Sequence, residues 1–296
     1  IIDSSQLNAI YQIIEENNME IVLLEKSPKI AVYSPPGKQP WDDAVTLALT
    51  YAEIQYDVIF DEEILLGELI NYDWLHLHHE DFTGQYGKFY RNYHKHQWYK
   101  EMKTSFELNA QKYNFNSVSE LKKNIAAKIK KYILNGGFLF AMCSATDSFD
   151  IALAAQDIDI VVSVFDGTPI DPNYRSKLNF SNSLAFENYE LYTDHLIYEY
   201  STIDIPSSHI PNQKDAEKDY FTLFEFSAKW DRVPTMLTQN HTAIINGFMG
   251  QTTGFNKDFL KKNILIMGED YSINQAKYIH GNIGKGTFTF LGGHDP

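Results

Sequence analysis

Between Lys29 and Ala154, short apolar runs alternate with longer helical patterns, and no other feature constrains the fold as strongly. "KIAVYS" is a β-branched run ended by Pro35, Pro36 and Gly37. "WDDAVTLALTYAEI" follows, with Trp41, Val45, Leu49 and Ala52 at helical spacing. "YDVIF" reads as a second short strand and "DEEILLGEL" as a short helix. "DWLHLHH" alternates, with Trp74, His76 and His78 on one face and Leu75, Leu77 and His79 on the other. "FLFAM" is apolar on both faces, as a central parallel strand is. Strands separated by helices of this length need parallel crossovers. The expectation is a doubly wound α/β sheet with residues 29–34, 56–60, 73–79 and 138–142 as neighbouring parallel strands.

The helix before "FLFAM" is well specified. In "SVSELKKNIAAKIKKYILNGG", Ser117 and Glu120 fit a capping box, and Leu121, Ile125, Ile129 and Ile133 form one apolar stripe. Asn135, Gly136 and Gly137 supply a left-handed stop. Lysines 122, 123, 128, 130 and 131 read as a solvated face. Residues 1–28 form an appendage in which Leu7, Ile10, Ile13 and Ile14 are helically spaced and Ser5 is a candidate cap. Residues 80–116 interrupt the rhythm as a long aromatic insertion. The second half is richer in strand, as in "HLIYEYSTIDI", "YFTLFEFSAKW" and "KGTFTFLGG".

A chain of 34.1 kDa that is 44% hydrophobic can bury a large core. Its formal charge of −14 repels phosphate backbones, which argues against a nucleic-acid partner. No window approaches the roughly 18 apolar residues of a membrane span. A single cysteine cannot close an intramolecular disulfide, so either redox compartment remains open. No Gly-rich phosphate loop is present, and no cofactor is implied.

That cysteine lies in "GGFLFAMCSATDSFD". A strand turning sharply into a helix lifts one side chain out of the backbone and aims helix N–H groups at it. Such a field favours a thiolate and can hold an oxyanion. Cys143 is therefore either a nucleophile needing a histidine base or a buried, inert thiol. Small Ser144 and Ala145 permit the turn; Asp147 can cap the following helix, and Asp150 favours its positive end. In "HLHHED", His76 and His78 share a strand face, and Glu80 and Asp81 begin the loop at the strand's carboxyl end, where ligands of α/β sheets collect. Neutral, packed histidines are the expectation there, without a closed metal site. The insertion "FTGQYGKFYRNYHKHQWYK" is expected to lie over the strand carboxyl ends near Cys143 and partly roof a cleft. Its aromatic and amide groups would suit a sugar-like or other small-molecule ligand.

"GGFLFAMCSATDS", with "GKGTFTFLGGHDP" far downstream, resembles the trehalose-utilisation (ThuA-like) family of the class I glutamine amidotransferase-like fold. "SPPGKQPWDDAVTLALTYAEI", "YDWLHLHHEDFTGQYGKFY", "FTLFEFSAKWDRVPTMLTQNH" and "GFMGQTTGFNK" resemble a bacterial family labelled asparagine synthetase B. The mid-chain cysteine and the missing phosphate loop do not fit a glutamine-hydrolysing asparagine synthetase, so the resemblance carries the fold and the elbow. It implies a flavodoxin-like doubly wound sheet over residues 29–296, with Cys143 and His294 as a catalytic pair, a core or helix-capping role for His294 being the alternative; the strand-end and elbow residues His78, Glu80, Ser144 and Asp147 are the candidate substrate contacts. It implies a hydrolase or amidotransferase, or else an exported, non-catalytic binding or scaffold protein that retains the fold.

Overall fold

The computed structural model describes residues 4–17, 27–35, 44–204, 220–223, 244–246, 254–271 and 273–293. Helix α1 (Ser4–Glu16) precedes β1 (Ile30–Tyr33), α2 (Ala44–Tyr51), β2 (Tyr56–Ile59), α3 (Asp61–Leu66) and β3 (Trp74–Leu77). The insertion carries α4 (Tyr90–Tyr93) and α5 (Gln97–Lys112) and leads into α6 (Val118–Leu134), β4 (Phe138–Met142) and α7 (Ser144–Ala154). The later strands are β5 (Tyr220–Leu223), β6 (Ile244–Asn246), β7 (Phe255–Asn256), β8 (Leu265–Asp270), β9 (Gln275–Ile283) and β10 (Gly286–Leu291).

These elements make a mixed α/β fold around one sheet, ordered β2-β1-β3-β4-β10-β9-β8-β5-β6, with β7 on β9. The expected neighbours are adjacent and parallel: β1 pairs with β2 and β3, and β3 with β4. Strand β10 joins this block parallel to β4, and from β9 onward every pairing is antiparallel. The chain reaches β10 from β9 by the tight turn at Gly284, which is why a parallel block continues into an antiparallel one.

The core lies where the α6 stripe meets the sheet. Leu121, Ile125, Ile129 and Ile133 are all buried, as are Leu75, Leu77, Leu139 and Ala141 on the facing strands. Helix α7 packs beside α6 and is buried along its whole length, from Ser144 to Ala154. The α6 stop is in place: Gly136 sits at φ 117°, a conformation that disfavours any side chain.

Several expectations need correction. Ser117 accepts from the Glu120 N–H at 3.1 Å, but the Glu120 carboxylate reaches back to the Asn116 N–H, so the box closes one residue early. The α6 lysines do not form a solvated face. Lys122 and Lys123 are buried, and the ammonium groups of Lys123, Lys128 and Lys130 donate to the carbonyls of Ile158, Leu65 and Asn182. Their long aliphatic stems cover the core flanks while their ends find orphan carbonyls. Ser5 lies inside α1, which begins at Ser4. "HLIYEYSTIDI" forms no strand within 195–204 beyond the isolated bridges Leu191–Ser201 and Asp204–Phe255. No helix of the described residues is long and apolar enough to cross a membrane.

Candidate functional site at the carboxyl end of strand β4

Cys143 is the first residue after β4 and the N-cap of α7, with φ 52° and ψ −138°. This is a strained conformation for a residue with a Cβ, and it persists only if its surroundings impose it. They do. The Cys143 N–H donates to the Leu291 carbonyl at 3.2 Å, and its own carbonyl accepts from both the N–H and the hydroxyl of Thr146 at 3.1 and 2.6 Å. The elbow expected from "FLFAMCSATD" is therefore present. Its helix starts at Ser144, three residues before the expected cap Asp147, because Cys143 itself makes the turn. By helix geometry the first N–H groups of α7 lack intrahelical acceptors and gather beside Cys143.

The other sequence-predicted residues make the following contacts. The Ser144 hydroxyl donates to the His79 carbonyl at 2.8 Å and Ser148 donates to the Glu80 carbonyl at 3.1 Å, tying α7 to the loop after β3. Asp147 is completely buried within α7 and accepts from the Ser148 N–H. The Asp150 carboxylate does not serve its own helix. It accepts the N–H groups of Leu184, Ala185 and Phe186 at 2.6 to 2.9 Å and so folds the later chain onto α7. Burial pushes its pKa up, and those three donors oppose the shift. His76 and His78 lie on one strand face with ring centroids 6.4 Å apart, both buried. Glu80 accepts the His78 N–H at 2.9 Å, so its carboxylate closes the loop after β3. His294 lies outside the described residues, and with it the test of a Cys143–His294 pair.

The start of the insertion packs against α7, where the Phe82 N–H donates to the Ser148 hydroxyl at 3.2 Å. The Asp81 carboxylate accepts from the N–H groups of Thr83, Gln85 and Gly87 and from the Thr83 hydroxyl. Gly84, at φ 83°, rests on the first turn of α6; a Cβ there would lie 2.5 Å from the Ser119 nitrogen. Tyr86, Gly87 and Lys88 follow, all with positive φ. This contorted loop drives the Lys88 side chain inward, where its ammonium donates to the carbonyls of Tyr192 and Glu199, each at 2.7 Å. Farther along, Phe106 stacks on Phe60, Tyr86 packs against Tyr99, and Asn109 donates to Asp61, so α5 seals the ends of β1 and β2.

Tyr198 and Tyr200 complete the surroundings of the elbow. Tyr200 is 1% exposed, its hydroxyl has no hydrogen-bond partner among the described residues, and its pKa is raised by burial and then by Asp81, Asp147, Tyr198 and Cys143. The Tyr198 phenol is raised by burial and by Cys143, and its ring packs on Phe89. Sequence reasoning missed Lys88 and Tyr200. The signal for Lys88 was the Asp-x-x-Gly-x-x-Gly-Lys spacing of a tight turn; nothing in the sequence marks Tyr200.

No protein-family model matches the chain, and no curated protein matches it. Among solved structures, the chain is similar to the cytoplasmic protein STM3548 from Salmonella typhimurium, at 9% identity and a TM-score of 0.42, over 90% of this chain and 87% of that one. It is similar to a GMP synthase-type protein from Thermoplasma acidophilum at 8% identity and 0.39, over 90% and 84%. It is also similar to Gan42B, a GH42 β-galactosidase, at 10% identity and 0.36, where it spans only 28% of that chain.

Proposed function

We propose that this chain is a class I glutamine amidotransferase-like domain of flavodoxin-like topology that carries out cysteine-dependent acyl transfer on an amide, as a hydrolase or amidotransferase. The observation that carries this reading is the Cys143 backbone at φ 52° and ψ −138° on the N-cap of α7. A strained non-glycine residue at a strand-to-helix turn is how a nucleophile is presented beside an anion-binding helix end. The parallel order 2-1-3-4 followed by β10 supports the flavodoxin-like reading, in which ligands collect at strand carboxyl ends. The resemblance to the family labelled asparagine synthetase B enters for fold and elbow only.

In this reading the Cys143 thiol passes its proton to His294 and its sulfur adds to the amide carbonyl. The N–H groups at the start of α7 hold the oxyanion. The C–N bond breaks, and the amine leaves with the proton from His294. Water, deprotonated by His294, then cleaves the thioester and the thiol is restored. Covalent reach supports the pairing: His294 follows by three residues the Leu291 whose carbonyl accepts the Cys143 N–H. The substrate is a small amide or sugar-linked amide, and export belongs to the same proposal.

The test is iodoacetamide alkylation of Cys143 against pH, paired with ammonia release from candidate amides. Native labelling with an apparent pKa below the ordinary thiol value of about 8.5 is expected, moving upward in His294→Ala. An unchanged profile removes His294, and a thiol that labels only on unfolding leaves Cys143 structural. That second outcome belongs to a non-catalytic binding or scaffold protein, a reading favoured by one observation: Cys143 is only 4% exposed.

A further inference from the structure

The burial of Cys143 poses the question of access, and Lys88 answers it. Residues 190–202 leave and rejoin the body as a loop closed at its base. There the Tyr192 N–H donates to Tyr200, the Thr202 N–H donates to Glu190, and Leu191 bridges Ser201. The loop carries buried Tyr200 and Glu199 next to exposed Asp194 and Leu196. Opposite it stands the strained turn of residues 81–89. Lys88 crosses between the two and is 1% exposed, bonded to one carbonyl on each limb of the loop and lying 5.9 Å from the Tyr200 ring centroid. Phe89 on Tyr198 and Tyr90 on His195 are the adjoining ring contacts.

We propose that Lys88 is the latch of a lid over Cys143, built from residues 81–89 and 190–202, and that its two bonds to the Tyr192 and Glu199 carbonyls set how often the sulfur meets solvent. The inference concerns access and does not need Cys143 to turn over a substrate. Lys88 is a positioning residue: it ties the turn of residues 81–89 to the loop that carries Tyr198 and Tyr200, the two phenols that the Cys143 charge raises.

The latch has a sign in pH. The groups facing the ammonium are Asp81 on its own turn, Asp147 on α7, and Glu199 and Asp194 on the loop, with the Tyr200 ring beside it. These carboxylates favour the charge, but burial outweighs them and brings Lys88 down to about 8. With the lid open, the amine regains its ordinary value of about 10.4. The closed lid therefore binds fewer protons between these values, and raising the pH through that window tightens it. A neutral amine still offers two N–H donors to the two carbonyls.

Alkylation of Cys143 by iodoacetamide between pH 7 and 10.5, in the intact chain, reads this directly. Once the thiolate is fully formed, the wild-type rate is expected to fall with rising pH by up to about tenfold per unit, since one proton is linked to closure. Lys88→Met, which leaves both carbonyls unpaired, is expected to label faster throughout and to level off instead of falling. Wild-type and Lys88→Met rates with the same pH profile would overturn the latch. Should Lys88→Met fail to fold, hydrogen exchange in the wild type decides. Protection of the Tyr192 and Thr202 amides, corrected for intrinsic rate, is expected to rise from pH 7.5 to 9.5; flat or falling protection overturns the proposal. A catalytic failure would appear elsewhere, as an alkylation profile indifferent to His294 or as no ammonia release.

Discussion

At the carboxyl ends of β1 and β2, Tyr33, Asp61, Lys122 and Asn109 form one buried polar cluster; at the carboxyl end of β4, Cys143, Asp147, Lys88 and Tyr200 form another. The first is saturated. Asp61 accepts Lys122 through both oxygens at 2.9 and 3.0 Å, Asn109 at 2.7 Å, and a short bond from the Tyr33 hydroxyl. Lys122 also donates to Tyr33 at 2.6 Å and lies 4.3 Å from the Phe60 ring centroid. The second holds a strained backbone and a buried hydroxyl without a partner among the described residues. The same sheet thus builds one end for stability and keeps the other in tension. Buried polar groups are satisfied when they serve the fold, and the exceptions call for a different explanation.

The strongest test of this contrast is Lys122→Met. It leaves Asp61 charged, 0% exposed and without its cation, and is expected to cost about 3–5 kcal/mol in chemical denaturation at pH 7. Adding Asp61→Leu should recover much of that loss, because the buried charge goes with it. A single-variant loss below about 1 kcal/mol would mean that water already reaches the pair and that the two ends are built alike.

Tyr33→Phe comes next, at about 1–3 kcal/mol, since it removes one partner each from Asp61 and Lys122. Its pH dependence has a definite direction. Burial and then Asp61 hold the Tyr33 phenol well above its ordinary value. A folded-state value above the unfolded one means that the contribution is complete below about pH 10 and lost as the pH rises beyond it. Urea midpoints at pH 9 and 11 should converge in Tyr33→Phe relative to wild type; an unchanged slope would place the alkaline loss elsewhere.

At the elbow the expected sign reverses. Cys143→Gly and Cys143→Ala both delete the thiol, but only glycine relaxes at φ 52°, so the glycine variant should be the more stable by about 1 kcal/mol. Equal stabilities would show that the strain is not stored there.

How much of this was legible beforehand follows from chemistry that is local or not. The parallel block and the α6 stripe were readable because alternation and helical spacing are local signals. The turn at Cys143 was readable because small residues follow an apolar strand. The saturated cluster was not, because Lys122 sits among lysines that look solvated and its partner Asp61 is 61 residues away in sequence. Asp150 was misassigned for the same reason: a charge favouring the positive end of its own helix is a local inference, whereas its donors at 184–186 are set by the return of the chain. Strands β8 and β9 went unread since their polar and glycine content masks the period.

The smallest effect is the most discriminating. Tyr200→Phe removes a hydroxyl from a site as buried as that of Tyr33, so the two substitutions share their chemistry and differ only in what the hydroxyl touches. Removing an unsatisfied buried hydroxyl also removes its desolvation penalty, and the change should lie between neutral and a gain of about 1 kcal/mol. Burial together with Asp81, Asp147 and the Cys143 thiol keeps this phenol protonated far into alkaline pH, so at neutral pH it remains a donor beside the elbow. A loss of more than about 1 kcal/mol would mean that the hydroxyl already serves the fold through an ordered water, and the two ends would then differ in strain alone. A neutral or favourable change in denaturation, together with a slower reaction of Cys143 with an acylating amide or ester, would show a donor held for the reacting carbonyl at the expense of stability.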